Sequence, residues 1–117
     1  MAQVLVVADD LTGANATGVL LKKNGFTTYT VLDPAHGADP ELAGCDCLVI
    51  PTESRAIDPR EAYDRVKNAL AVTRDDGVKL YAKRIDSTLR GNLGSETDAF
   101  LDLLGPDYIA VCVPCFP

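Results

Sequence analysis

The sequence predicts an α/β fold: a three-layer, Rossmann-like, mostly parallel sheet with helices on both faces. Two observations lead to it. Strand-like runs alternate along the chain with segments of helical period, and the first run, at 3–8, is continuously apolar instead of alternating with polar residues. Such strands are buried on both faces, which requires a layer of helices above and below them. A length of 117 residues suits one domain with a single core.

Five strands are expected, and their positions are 3–8, 27–32, 47–51, 79–85 and 108–113. The first, third and fifth are the most apolar. We therefore expect the central, buried positions to be 4–7, 48–50 and 109–113. Residues 33–44 are rich in Pro, Gly and Asp, which indicates a loop.

Three helices are expected between the strands, at residues 13–24, from 59 onward, and at 95–104. The second has the clearest start, with Asp58 as N-cap, Pro59 at the first helical position and Glu61 completing a capping box. Its inward face is formed by Ala62, Val66, Ala69 and Leu70. The third turns four apolar residues inward and stops at a Gly-Pro pair: Ala99, Phe100, Leu103, Leu104, then Gly105 and Pro106.

The end of the sequence follows directly on the last expected strand. A parallel strand is normally covered by a helix that comes next in the chain, and residues 114–117 are too few for one. We therefore expect a truncated fold, the first part of a longer one.

The charge balance excludes several classes of partner. Lys and Arg number 11 and Asp and Glu number 17, so the net charge is −6. Nucleic acids and anionic membranes attract basic faces, so neither is an expected partner. No apolar run approaches 18 residues, and the run at 4–8 is too short for a signal peptide. A cytoplasmic location is expected.

Four cysteines at positions 45, 47, 112 and 115 form a C-x-C and a C-x-x-C pair. Four cysteines in two such pairs are compatible with a zinc site, but an ordinary packing role is the stronger interpretation. Cys47 and Cys112 lie in or beside apolar runs, where a reduced thiol packs as a small hydrophobe. We expect no metal site.

Polar side chains are concentrated in the loops that follow three of the strands. In open parallel sheets ligands bind beyond the carboxyl ends of the strands, so these loops predict one crevice. The first loop contributes Asp9 and Asp10, and the second contributes Ser54 and Arg55. The third region contains Lys83, Arg84, Asp86, Ser87, Thr88 and Arg90.

The residue types in this crevice suggest its chemistry. The Asp pair suits a divalent cation, a substrate hydroxyl or general-base catalysis, although Asp10 or Thr12 can equally serve as a simple helix cap. Arg55 and Arg90 suit a carboxylate or phosphate, which a guanidinium grips with two parallel hydrogen bonds. The chain contains neither a P-loop motif nor G-x-G-x-x-G, so nothing marks a nucleotide pocket.

Two stretches resemble the signature segments of the four-carbon acid sugar kinases, which are ATP-dependent kinases of threonate, erythronate and 3-oxo-tetronate. They are ADDLTGAN at 8–15 and KRIDSTLRGN at 83–92, and TESR at 52–55 resembles the intermediate Ser-Arg segment of that family. The resemblance covers nearly all of this chain but only the first part of the family's. It implies that residues 1–117 are the N-terminal part of a sugar-acid-binding α/β domain, without the C-terminal nucleotide-binding domain.

The resemblance also implies roles for individual residues. Substrate contacts would come from Asp10, Arg55, Lys83, Arg84, Ile85 and Asp86, and the same crevice would be lined by Asp9, Ser54, Ser87, Thr88 and Arg90. Asp10 or Asp86 would be the general base, and the sequence does not choose between them. The implied partners are a small sugar acid, ATP held mainly by the absent domain, and Mg²⁺. A homo-oligomer stays open, and the chain alone is expected to be inactive.

Two alternatives belong to other classes. A phospho-receiver domain has a similar length and an acidic pair after its first strand. It also requires an Asp at the end of strand three and a Lys at the end of strand five, where this chain has Pro51-Thr52 and Pro114-Cys115. The second alternative is a small-molecule binding module without catalysis, and a downstream nucleotide-binding domain would distinguish the kinase from it.

Overall fold

Four parallel strands form the middle layer of the computed structural model, which describes residues 2–114. The strands are β1 (Val4–Ala8), β2 (Thr28–Thr30), β3 (Cys47–Pro51) and β4 (Leu80–Arg84). Their order in the sheet is β2-β3-β1-β4, so the most apolar strands are central. The parallel α/β prediction is confirmed.

Three helices cover the sheet, and they are α1 (Leu11–Lys23), α2 (Pro59–Thr73) and α3 (Leu93–Leu104). Alternate residues of β1 explain why both faces need covering. Leu5 and Val7 pack in the larger core cluster, which includes residues of α2 and α3. Val6 and Ala8 pack in a second cluster with Ala14 of α1. The continuous apolar run therefore buries both of its faces, as expected.

Local signals placed most of the elements correctly. The N-cap at Asp58 and the inward face of α2 are as predicted. Two helices begin two residues earlier than expected, at Leu11 and Leu93. The predicted loop at 33–44 contains two short 3-10 helices, Pro34–Ala38 and Pro40–Leu42.

The fifth strand is the prediction that was wrong. Residues 108–113 have no strand pairing, and Ile109 and Val111 are 86% and 79% exposed instead of central and buried. An apolar run predicts burial, but a strand also needs a neighbour that accepts its backbone hydrogen bonds. The segment instead lies across a groove of about 480 Å³ from β4. Its first residue, Tyr108, packs edge-on against Tyr81 of that strand, with ring centroids 6.0 Å apart.

The cysteines divide into two kinds. Cys45 and Cys47 are free and buried, and burial raises the pKa of both thiols. The expected packing role of Cys47 is therefore confirmed. Cys112 is free but exposed, contrary to expectation, because the strand that was to bury it does not form. Cys115 lies outside the described residues. Among the helices of residues 2–114, none combines the length and apolar character needed to cross a membrane.

Candidate functional site

Arg55 lies at the centre of an ion cluster at the carboxyl ends of β1, β3 and β4. Its Nε donates to Asp9 Oδ2 at 3.2 Å and its Nη2 donates to Asp9 Oδ1 at 3.0 Å, a two-point contact. Its Nη1 lies 3.3 Å from Asp10 Oδ2, and its Nη2 lies 3.8 Å from Asp86 Oδ1. The hydrogen bonds from Arg55 to Asp9 raise the pKa of the guanidinium above its ordinary value. One side chain thus joins all three polar loops.

Asp9 and Asp10 have different surroundings and different hydrogen-bond partners. Asp9 is buried directly after β1, and its carbonyl accepts a hydrogen bond of 3.0 Å from the Ser54 amide. Asp10 is the N-cap of α1, because its Oδ1 accepts from the Gly13 amide at 2.8 Å. The capping interpretation of Asp10 is therefore correct. Its other oxygen, Oδ2, still faces Arg55, so capping and binding are compatible.

The third loop folds around the carboxylate of Asp86. Arg90 Nε and Nη2 each lie 2.8 Å from an oxygen of this carboxylate, and the backbone amide and hydroxyl of Thr88 also donate to it. Hydrogen bonds from Arg90, and then from Thr88, hold the pKa of Asp86 far below its ordinary range. The Arg90 side chain is 67% exposed, so it is the most accessible cation of the cluster.

A second polar network lies buried beside the ion cluster. Ser54 is fully buried, and its hydroxyl donates to Glu96 Oε1 of α3. The other oxygen of Glu96 lies 3.5 Å from Lys83 Nζ, and both side chains are largely buried. Thr52 extends the chain of contacts, with its Oγ1 2.6 Å from Ser54 Oγ and 3.1 Å from the Ala8 carbonyl oxygen. The network ties β1, β3, β4 and α3 together beneath the crevice.

Three residues of the second and third polar loops adopt a positive φ. Gly91 has φ +106°, and a Cβ added there would lie 2.8 Å from Asp9 Oδ2 and 3.4 Å from Arg55 Cγ. The loop therefore rests on the ion pair so closely that only glycine fits. Glu53 and Leu89 also adopt positive φ values, of 48° and 65°. Strained residues of this kind persist where the surrounding contacts fix them, often at binding sites.

Three of the predicted site residues lie beside the ion cluster. Arg84 ends β4 and places its aliphatic stem over Gly13 at the start of α1. Ile85 lines the apolar groove between β4 and the segment 108–113. Ser87 is half-buried in the turn of the third loop. The structure brings the remaining eight together around Arg55 and Glu96: Asp9, Asp10, Ser54, Arg55, Lys83, Asp86, Thr88 and Arg90.

Sequence reasoning missed Glu96 and Asn92. Glu96 is 1% exposed, although an acidic residue in the first turn of a helix normally faces solvent and needs no special explanation. Its signal was its spacing, since it precedes Ala99 and Phe100 by three and four residues and shares their inward face. Asn92 donates from Nδ2 to the carbonyl oxygens of Ser54 and Ile57, both at 2.9 Å. These two contacts join residues that are 38 and 35 positions apart, so no local sequence pattern indicated them.

The described residues do not fit the Mg²⁺ that the resemblance implies. Asp9 and Asp10 both pair with Arg55, and Asp86 pairs with Arg90, so each carboxylate already has a cationic partner. Across positions 2–114 no three His, Cys, Asp or Glu side chains are grouped so that they could hold a metal ion. The chemistry proposed for this crevice therefore uses no metal ion held by these residues.

A comparison with known families shows which family the chain belongs to. Residues 4–117 match the family model described as the sugar-binding N-terminal domain. The chain belongs to this family. The phospho-receiver alternative is thereby set aside, and the position it needs at the end of β3 is occupied by Pro51, followed by Thr52.

Curated relatives carry the names of the three kinases that the resemblance indicated. The chain is 53% identical over 119 residues to the D-erythronate kinase of Heliobacterium modesticaldum, covering 100% of this chain and 27% of that protein. It is 37% identical to the D-threonate kinase of Bordetella bronchiseptica, covering 96% and 28%. It is 33% identical to the 3-oxo-tetronate kinase of Salmonella typhimurium, covering 100% and 28%. The chain thus spans just over a quarter of the length of these relatives.

A solved structure shows the same fold. A domain of unknown function (DUF1537) from Bordetella bronchiseptica aligns with a TM-score of 0.84 and 33% sequence identity, covering 92% of this chain and 27% of that one. That protein was crystallised with bound citrate as a domain-swapped dimer.

Proposed function

We propose that this chain is the sugar-acid-binding part of an ATP-dependent kinase that phosphorylates a hydroxyl group of a four-carbon sugar acid. Candidate substrates are erythronate, threonate and 3-oxo-tetronate, after the relatives of those names. The observation that carries the proposal is the position of Arg55, which contacts Asp9, Asp10 and Asp86 at three strand ends. Ligands of parallel α/β sheets bind at this edge.

The carboxylate of the sugar acid needs a cation, and the contacts of the cluster indicate which one. Arg55 already directs Nε, Nη1 and Nη2 at Asp9 and Asp10, so its main task is to hold those two residues. Arg90 is exposed and pairs with Asp86 through Nε and Nη2, so its Nη1 can donate to a ligand carboxylate while that pair is kept. We therefore assign the substrate carboxylate to Arg90, with Lys83 as the second cation.

The hydroxyl groups of the sugar acid need acceptors, and one of them must lose a proton during phosphoryl transfer. Asp86 is a weak base while Arg90 and Thr88 hold its pKa far below the ordinary range. Asp10 places Oδ2 toward the crevice and keeps Oδ1 on the helix cap. We assign the general base to Asp10, and hydroxyl binding to Asp10 and Asp86.

The citrate in the Bordetella bronchiseptica relative supports a hydroxy-acid ligand, because citrate combines carboxylates with a hydroxyl as sugar acids do. The same relative is a domain-swapped dimer, which supports the homo-oligomer left open by the sequence. We assign ATP and Mg²⁺ to the part of the kinase beyond this domain, and a cytoplasmic location stays a prediction.

Calorimetric titration of the chain with D-erythronate tests the binding half of the proposal. Two matched controls are erythritol, which has the hydroxyls without the carboxylate, and butyrate, which has the carboxylate without hydroxyls. A charge-assisted hydrogen bond contributes about 1.5–3 kcal/mol, so each control is expected to bind at least about tenfold more weakly. Equal binding of all three compounds, or none of D-erythronate to the folded chain, contradicts the proposal.

A matched pair of variants locates the site. Arg90→Gln is expected to weaken D-erythronate binding by about tenfold or more, whereas Arg60→Gln, on the exposed first turn of α2, leaves it unchanged. Phosphorus NMR of the chain with ATP, Mg²⁺ and D-erythronate tests the other half. No phosphorylated product is expected, because the reaction needs both substrates positioned together. Product formation by the chain alone overturns the assignment of ATP to the rest of the kinase.

A further inference from the structure

We propose that Glu96 is a positioning residue, whose buried carboxylate fixes the Lys83 ammonium and the Ser54 hydroxyl beneath the crevice and so keeps a cation in place for the bound sugar acid. The inference rests on the proposed function for its last step. Its first step, the control of Lys83 by Glu96, concerns this chain alone and is tested without a ligand.

The burial of Glu96 is the first observation. Its side chain is 1% exposed although it belongs to the first turn of α3, where an exposed position would stabilise the helix equally well. A carboxylate removed from water is costly unless it has a cation and hydrogen-bond donors. Glu96 has both, since Lys83 Nζ lies 3.5 Å from Oε2 and the Ser54 hydroxyl donates to Oε1.

The dependence of Lys83 on Glu96 is the second observation. The Lys83 side chain is 12% exposed, and its Nζ also donates to the Arg84 carbonyl oxygen at 3.0 Å. Three charged groups act on this ammonium: Glu96 from α3, Asp9 at the end of β1, and Arg55 after β3. Burial lowers the pKa of Lys83, and Glu96 is the largest influence that raises it again. Glu96 is therefore the group that most favours the charged form of this ammonium.

The contact between Glu96 Oε1 and the Ser54 hydroxyl links Glu96 to the ion cluster, because Ser54 and Arg55 are neighbours in the backbone. Ser54 precedes Arg55, and its amide donates to the Asp9 carbonyl at 3.0 Å. Its carbonyl oxygen accepts from Asn92 Nδ2 at 2.9 Å, so the start of α3 holds this segment at two points. A shift of Glu96 would therefore move Ser54 and the adjacent Arg55, whose guanidinium pairs with Asp9 and Asp10.

Nitrogen NMR of the lysine ammonium groups in the ligand-free chain tests the first step. In Glu96→Gln the shape is kept and the charge is lost, so the pKa of Lys83 is expected to fall further below its value in the parent chain. Glu61→Gln, an exposed residue paired with Arg65 on α2, is the matched control and leaves the Lys83 titration unchanged. A Lys83 titration that is the same in Glu96→Gln and in the parent overturns the proposal.

A reciprocal variant keeps the test open if Glu96→Gln does not fold. In Lys83→Met the buried carboxylate of Glu96 loses its cation, so the variant is expected to unfold at a lower urea concentration than the parent. A Lys83→Met variant that unfolds at the same urea concentration as the parent also overturns the proposal.

The pH dependence of D-erythronate binding tests the second step. Affinity in Glu96→Gln is expected to fall by about tenfold or more as the pH rises, at a lower pH than in the parent, because Lys83 becomes neutral earlier. A purely structural role would weaken binding equally at every pH and contradicts the proposal. If the parent binds no D-erythronate but the Lys83 titration still responds to Glu96→Gln, the proposed function and the second step are wrong. The first step, the control of Lys83 by Glu96, then still stands.

Discussion

Arg55 and Asp9 form a two-point ion pair across the ends of β3 and β1, with nitrogen–oxygen distances of 3.2 Å and 3.0 Å. The Asp9 side chain is 2% exposed and that of Arg55 is 24% exposed, so the pair lies at the inner wall of the crevice. The sheet register explains why the two side chains meet. Ala8 pairs with Pro51, so the segments that follow β1 and β3 leave the sheet side by side. The pair fixes the geometry on which the other charged groups depend.

Removal of Arg55 is expected to destabilise the fold as well as the site. Arg55→Ala leaves the buried carboxylate of Asp9 without its cation, which should cost about 2–4 kcal/mol in the free energy of unfolding. Urea unfolding at pH 7 measures the loss. The control is Arg60→Ala on exposed helix surface, where a change within about 0.5 kcal/mol is expected. An Arg55→Ala effect no larger than that of the control would show that the pair stabilises little.

A methyl group at position 91 is expected to displace the third loop from the ion pair. Gly91→Ala combines a positive φ with a contact of 2.8 Å to Asp9 Oδ2, and should destabilise the chain by about 2–4 kcal/mol. Gly25→Ala is the matched control, since Gly25 has φ +93° but open space around its Cβ position. It isolates the conformational cost of about 1–2 kcal/mol. Equal unfolding free energies for the two variants contradict a steric role.

The fold was largely predictable because its signals are local. Continuous apolar runs indicated β1 and β3, and the pair Asp58-Pro59 indicated the start of α2. The segment 108–113 shows the limit of such reasoning. Its apolar residues are as strand-like as those of β1, but pairing depends on where the edge of β4 lies, which no short window of sequence contains.

The candidate site was predictable as a region but not as a network. The rule that ligands bind at strand carboxyl ends brought Asp9, Arg55 and Asp86 into one crevice. It could not show that Arg55 is occupied by the Asp pair while Arg90 is exposed, because both are arginines in polar loops. It also gave no reason to single out Glu96, whose partners Ser54 and Lys83 are distant in sequence.

The contribution of Asp86 to stability is expected to depend on pH with a definite sign. Its pKa is lower in the folded chain than in the unfolded chain, where it is about 3.9. The stabilising contribution is therefore fully present above about pH 4 and is lost as the pH falls from there toward the folded value. Asp86→Asn should thus be more destabilising at pH 7 than at pH 3, as measured by urea unfolding at both values.

Two further variants check the cause of this pH dependence. Arg90→Gln removes the main donor to Asp86, so it should reduce the same contribution and raise the pKa of Asp86 toward its ordinary value. Asp64→Asn makes the same charge change at an exposed position of α2 and should give a smaller difference between pH 7 and pH 3. If Asp86→Asn and Asp64→Asn behave alike, the Arg90–Asp86 pair does not stabilise the fold.

The choice between Asp10 and Asp86 as general base is best made with asparagine variants in the complete kinase that we propose. Asparagine at position 10 still accepts the hydrogen bond from the Gly13 amide, so α1 keeps its cap while the proton acceptor is lost. If Asp10 is the base, Asp10→Asn lowers kcat by about 10²–10⁴-fold. Asp86→Asn is expected to act mainly on KM for the sugar acid, because Asp86 orients Arg90 and contacts Arg55. A large loss of kcat in Asp86→Asn alone would reverse the assignment, and near-normal kcat in both would show that neither residue is the base.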